Sequence, residues 1–120
     1  MLIERVRALG VTVPIIGFPR GGGALVDQYA DLIDVQGVAL DTQATLGQGL
    51  SIQRKRTIQG ALDPLLLRAG GAELDRRVDE LLDAWSGGPY IFNLGHGILP
   101  DTPMFHVKQV VERVTGKFAA

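Results

Sequence analysis

Four short apolar runs punctuate the chain, each followed by a polar or glycine-rich break. Val13–Phe18 ends at Pro19-Arg20-Gly21-Gly22-Gly23, and Val35–Leu40 ends at Asp41. Thr57–Leu62 ends at Asp63-Pro64, and Tyr90–Leu94 ends at Gly95-His96-Gly97. None alternates strictly between apolar and polar, the pattern of parallel strands covered by helices. Between the runs the apolar period lengthens to that of a helix. Leu2, Val6 and Leu9 share one face before Gly10, a C-cap residue, and no N-cap precedes them. Residues 24–33 predict a short helix with Leu25, Tyr29 and Leu32 on its inner side. Residues 42–52, with two glycines, predict a weak helix, and Gln53-Arg54-Lys55-Arg56 beyond it reads as a solvated turn.

The third helix carries the strongest signal. Asp63 is placed to cap it with Pro64 at its first position, and Leu74, Val78, Leu81, Leu82 and Trp85 form one apolar face before Ser86-Gly87-Gly88-Pro89 stops it. The last helix is expected to start with Thr102 as cap and Pro103 in its first position, with Met104, Val107, Val111 and Val114 inward. The order is helix, then four βα units, which implies parallel strands joined by right-handed crossovers. Periodicity alone leaves two architectures open: a small open sheet, or half of a (β/α)8 barrel, which takes about 250 residues.

Composition narrows the chemistry more than the fold. The 120 residues are 46% hydrophobic and 21% charged, which excludes a disordered chain. Twelve basic and thirteen acidic residues give a net charge of −1, and no basic-aromatic stripe is present, so neither nucleic acid nor an anionic membrane is an expected partner. No run is apolar for long enough to span a bilayer. The absence of cysteine removes disulfides, thiolate nucleophiles and cysteine-ligated metals, and fits a reducing compartment. Sixteen glycines against one Trp, two Tyr and four Phe indicate many tight turns around an aliphatic core.

In both architectures ligands bind at the carboxyl ends of the strands. That edge offers Arg20 with three glycines, Asp41, Asp63, and Asn93 with His96. The Pro19–Gly23 segment is either a plain turn or an anion cradle, and it lacks the spacing of a Walker or dinucleotide loop. Asp63 reads as a helix cap; Asp41 is open between a turn residue and a pocket carboxylate. His96, between two glycines directly after a strand, is either a surface turn residue or an exposed imidazole able to donate a hydrogen bond or move a proton near neutral pH. His106 reads as an exposed helix residue. Two histidines on different elements do not make a usual zinc site, so no metal is expected, and neither Ser51 nor Ser86 has a nucleophile-elbow context.

Two segments, Ile58-Gln59-Gly60-Ala61-Leu62-Asp63-Pro64 and Ile91-Phe92-Asn93-Leu94-Gly95-His96-Gly97-Ile98-Leu99-Pro100, closely resemble the uroporphyrinogen decarboxylase family, supported by Gly17–Gly23 and Leu40-Asp41. The resemblance runs through essentially the whole chain. It departs at Ala61, where the family usually has asparagine, and at Thr42-Gln43, where Trp-Thr is common. It implies that residues 1–120 are one unit, the second half of a (β/α)8 TIM barrel. The family's arginine cluster, catalytic aspartate and substrate-contacting tyrosine fall outside the stretch that this chain resembles.

The implied activity is a cytoplasmic, cofactor-free carboxy-lyase of haem biosynthesis that turns the four acetate side chains of uroporphyrinogen III into methyls, giving coproporphyrinogen III. Of the family's functional residues only His96 maps onto this chain, as a substrate contact and proton relay. Arg20 is assigned by position as a carboxylate contact. Two other readings compete: a methyltransferase of the same superfamily, opposed by the lack of cysteine for its zinc site, and a non-catalytic half-barrel that needs a partner. A half-barrel is expected to form a homodimer or to associate with the missing N-terminal half.

Overall fold

The computed structural model describes residues 1–118 and has the element order α1 (Leu2–Ala8), β1 (Ile16–Gly17), α2 (Leu25–Leu32), β2 (Gly37–Ala39), α3 (Leu46–Gln53), β3 (Thr57–Leu62), α4 (Pro64–Ala69), α5 (Gly71–Trp85), β4 (Tyr90–Leu94) and α6 (Met104–Phe118). The strands form one sheet in the order β1-β2-β3-β4, every pair parallel. Sequential parallel neighbours with a helix between each pair are the repeat of a (β/α)8 barrel, and four such units make half of one. The expected α/β class and parallel βα repeats are therefore present.

The helices cover one face of this sheet. Val38, Ile58, Leu62, Leu74, Val78, Leu81, Leu82 and Trp85 are fully buried in a single cluster there. Trp85 anchors it: its ring stands edge-on to Tyr90 at 5.3 Å, its indole N–H donates to the Leu46 carbonyl at 3.1 Å, and Gly49 leaves room for it. The opposite face is sparsely covered. Gly17 faces α2, since a Cβ there would meet the Tyr29 side chain, so Ile16 and Phe18 point the other way and are 45% and 44% exposed. On β4, Tyr90, Phe92 and Leu94 pack against the core while Ile91 and Asn93 are exposed. This alternation leaves apolar side chains of β1 and β4 exposed on the face away from the helices, whereas β2 and most of β3 are buried.

Six local expectations are corrected. β1 is two residues long, not six, because side chains satisfy the backbone before it. The Arg7 guanidinium donates to the carbonyls of Val11 and Val13 at 3.1 and 2.8 Å and to the Gln36 amide oxygen at 2.7 Å, which also accepts from the Ile15 N–H at 2.9 Å. α2 buries Val26 and Ala30, leaving Leu25 and Leu32 exposed and Tyr29 half-buried, because the small Ala30 allows close approach to the core. The helix expected from Pro64 to Trp85 is two helices, broken at Gly70 (φ +69°), where a Cβ would lie 2.3 Å from His106 Nε2.

α6 is rotated from the expected face. His106 and Val110 are buried, Val107 and Val114 pack at the edge of the core, and Met104 and Val111 face out. The cause is His106, expected to be exposed: its Nδ1 hydrogen-bonds the Leu67 carbonyl at 2.9 Å and its ring fills the space over Gly70. Thr102 does not cap this helix through its side chain, since its buried Oγ1 has no hydrogen-bond partner; Pro103 precedes the first helical residue and its carbonyl accepts from the His106 N–H at 3.1 Å.

Candidate functional site

Every strand points its carboxyl end to the same edge, and the connections leaving that edge enclose a cavity of ≈ 360 Å³ lined by Arg20, Asp41, Gln43, Asp63, His96 and Leu99 among others. The sequence-selected residues after all four strands therefore meet in one place, save Asn93. Its side chain accepts from the Leu94 N–H at 2.8 Å and borders a neighbouring cavity of ≈ 370 Å³ on the open sheet face. His96 lines both cavities and stands where they join.

The two carboxylates hold the loops. Asp41 Oδ2 accepts from the Gly21 N–H and its Oδ1 from the Gln43 N–H, both at 3.0 Å. One side chain thereby closes its own turn and ties the glycine-rich loop after β1 to the loop after β2, so the two readings left open for Asp41 are both partly right. Asp63 accepts from the Leu65 N–H at 2.8 Å as the cap of α4 and lines the cavity as well.

The two candidate functional side chains are uncommitted. Arg20 and His96 are exposed, and neither makes an ion pair or side-chain hydrogen bond among the described residues. A free guanidinium at a cavity wall can hold a carboxylate through two parallel N–H donors. A free imidazole can donate to a substrate or relay a proton.

The glycines around His96 differ in role. A Cβ on Gly95 would lie 2.5 Å from the Thr42 backbone nitrogen and 2.8 Å from the Asp41 carbonyl carbon, whereas Gly97 has open space around it. Gly95 also donates its N–H to the Leu62 carbonyl at 2.8 Å. Close packing of β4's end against the Asp41 turn, rather than backbone freedom, sets the position of His96. Position directly after a buried strand was the available hint to Gly95; nothing in the sequence announced the Asp41–Gly21 tie. Among the described residues no three His, Asp or Glu side chains converge as a metal-ligand set, and no helix is long and apolar enough to cross a membrane.

A parallel βα sheet with a polar cavity at its carboxyl edge places the chain in the class of α/β proteins built from barrel repeats. The family model for uroporphyrinogen decarboxylase (URO-D) matches residues 1–116. The chain belongs to the uroporphyrinogen decarboxylase family. It is 68% identical to a uroporphyrinogen decarboxylase of Caulobacter vibrioides over 116 residues, 97% of this chain and 33% of the relative. It is 62% identical to that of Phenylobacterium zucineum over 117 residues, 97% of this chain and 34% of the relative. With that of Maricaulis maris it is 50% identical over 120 residues, 94% of this chain and 33% of the relative. The chain thus spans about a third of the length of the curated relatives it matches.

Proposed function

We propose that residues 1–120 form a half-barrel unit supplying part of a decarboxylase site for uroporphyrinogen III, with coproporphyrinogen III as product. Protonation of a pyrrole carbon next to an acetate-bearing carbon turns the ring into an electron sink. The acetate C–C bond breaks, CO₂ leaves, and its electron pair enters the ring as an exocyclic double bond. A second proton completes the methyl group, and the ring carbon releases the first proton to restore the pyrrole, one proton consumed net per acetate. The step needs no added cofactor, because the substrate accepts its own electrons. In this reading His96 contacts the substrate and relays a proton, and Arg20 holds a substrate carboxylate. Asp41 and Gly95 keep the loops that carry them in register. A cytoplasmic location and a lack of nucleic-acid or membrane partners belong to the same reading.

One observation carries it: a chain matched to the family across residues 1–116 brings a free arginine and a free histidine to one cavity at the carboxyl edge of the sheet. A volume of ≈ 360 Å³ suits one carboxylate-bearing part of a tetrapyrrole better than the whole molecule. The absence of cysteine continues to disfavour the superfamily's methyltransferases.

The open sheet face favours a second reading, in which the isolated chain is catalytically silent and works only with a partner. Ile16, Phe18, Ile91 and Ile98 are 43–52% exposed on or beside the side away from the helices, and the outer edges of β1 and β4 are unpaired in the sheet order. Open edges and apolar faces promote association, either with a second copy or with a chain resembling the rest of the relatives.

An anaerobic assay of the chain with uroporphyrinogen and sedimentation at micromolar concentration test both readings. We expect no measurable turnover and a dimer or larger species. Turnover by a monodisperse monomer would refute the need for a partner. Within a complete enzyme carrying this segment, Arg20→Ala is expected to raise KM for the porphyrinogen about tenfold, the loss of a charge-assisted contact; an unchanged KM removes Arg20 from the site.

A further inference from the structure

The turn after α3 is solvated at Arg54 and Lys55, as its sequence suggests, but Arg56 is half-buried. Arg54, Lys55 and Arg56 line a depression of ≈ 580 Å³ with Asp34, Gln53 and Pro89, at the amino-terminal end of the strands and so opposite the cavity of Arg20 and His96. Most polar groups around it are already engaged. Lys55 pairs with Asp31 at 2.6 Å, and Asp34 with Arg7 at 3.3 Å. The Gln53 amide donates to the Trp85 and Pro89 carbonyls at 2.7 and 3.3 Å, and the Gln36 amide oxygen accepts from Arg7 and Ile15.

Two guanidiniums are left over. Arg54 is exposed and its side chain has no ion pair or hydrogen bond among the described residues. Arg56 is half-buried; its Nη1 donates to the Lys55 carbonyl at 3.2 Å, while its Nε is buried with no acceptor. The buried Nε carries an uncompensated desolvation cost inside the protein, whereas Nη2 has no hydrogen bond among the described residues and, with Arg54, is left for a ligand in the depression. A planar N–H fork is the geometry that carboxylate and phosphate oxygens fit.

We propose that this depression is a binding site for a small oxyanion of the phosphate or dicarboxylate type, held by Arg56 with Arg54 closing over it. It lies at the end of the strands away from the decarboxylase edge, and its existence does not depend on the function proposed above. An anion there would tie the α3–β3 turn to the start of β4, through Arg56 on one side and the Pro89 segment on the other.

The test is to titrate the 120-residue chain with inorganic phosphate and, separately, with glutarate, at ionic strength held constant with sodium chloride. The backbone amide resonances of residues 53–57 and the thermal midpoint are followed together, since a ligand bound only to the folded state raises that midpoint. The site predicts saturable shifts with one or both anions. Arg54→Gln, on an exposed side chain with no partner to lose, is expected to weaken binding about tenfold. Arg56→Lys, which keeps the charge and removes the fork, is expected to weaken it by a similar factor. Tighter binding of phosphate or of glutarate assigns the ligand class. Shifts that fail to saturate with both anions, or saturation in Arg54→Gln identical to the parent chain, would overturn the proposal.

Discussion

The two glycines beside His96 look equivalent in sequence, but Gly95→Ala and Gly97→Ala should have opposite consequences. At Gly95 the new methyl would sit 2.5 Å from the Thr42 nitrogen, 2.8 Å from the Asp41 carbonyl carbon and 2.8 Å from Thr42 Cγ2. Two of these atoms are backbone, held in a turn that Asp41 closes on Gln43 and Gly21, so no rotamer change makes room. Overpacking of this kind costs about 1–3 kcal/mol. At Gly97 nothing lies within 4 Å and no positive φ is required, so only the reduced freedom of the unfolded chain changes, a gain of about 0.4–1 kcal/mol. That backbone contribution is common to both substitutions, so the gap between them isolates the steric term. With a urea m-value of about 1–3 kcal/mol/M, the Gly95→Ala midpoint should fall about 1 M below that of Gly97→Ala. Coincident urea curves would mean that β4's end does not pack on the Asp41 turn, and the explanation of how His96 is placed would fail.

Three further outcomes follow from the packing. Gly70→Ala should cost well over 1 kcal/mol because of its positive φ and the His106 ring over it; in a double-mutant cycle His106→Ala should recover the steric part, with a coupling of about 1–2 kcal/mol by chemical denaturation, and strict additivity would refute the contact. Tyr90→Phe removes the hydroxyl that donates to the Gly60 carbonyl and should cost about 1–3 kcal/mol in thermal unfolding; burial pushes this phenol's pKa upward, so no tyrosinate absorbance from it should appear before the alkaline unfolding transition. Glu80 is held below its ordinary 4.5 by its hydrogen bond from Arg77, aided by the charges of Arg77 and Arg76, against an opposing contribution from burial. Its stabilising contribution is therefore complete above that ordinary value and lost as pH falls through the lower folded one, so Glu80→Gln should flatten the acid limb of the stability profile below that ordinary value, and an unaltered profile would contradict the pairing.

What the sequence made legible was local. The inward face of α5 from Leu74 to Trp85 is complete, since five large apolar side chains at helical spacing admit one stripe only. Asp63-Pro64 caps α4 as its residue types require. The strand ends were found because glycine, proline or aspartate terminates each run, and this put Arg20, Asp41, Asp63 and His96 together at the carboxyl edge.

What was hidden depends on residues far apart in the chain. α2 offers apolar residues around most of its surface, and only the approach of the core over Ala30 chooses between its stripes. The orientation of α6 and the break between α4 and α5 are one event: Gly70 and His106 occupy each other's space, and the Leu67 carbonyl that His106 reaches lies 39 residues away. Likewise Asp41 reaches the amide of Gly21 across 20 residues, a contact with no local trace in either segment.

The most direct test of the functional conclusion is to replace the matching segment of the Caulobacter vibrioides relative, 68% identical over 116 residues, with residues 1–116 of this chain. Anaerobic decarboxylation of uroporphyrinogen is then assayed in the exchanged enzyme, with and without His96→Ala. The exchanged enzyme should produce coproporphyrinogen, and His96→Ala should lower kcat/KM at least about a hundredfold while the folded state persists, in line with loss of a positioned proton donor. A folded but inactive exchanged enzyme, or full activity after His96→Ala, would contradict the assignment of the carboxyl edge as part of the decarboxylase site.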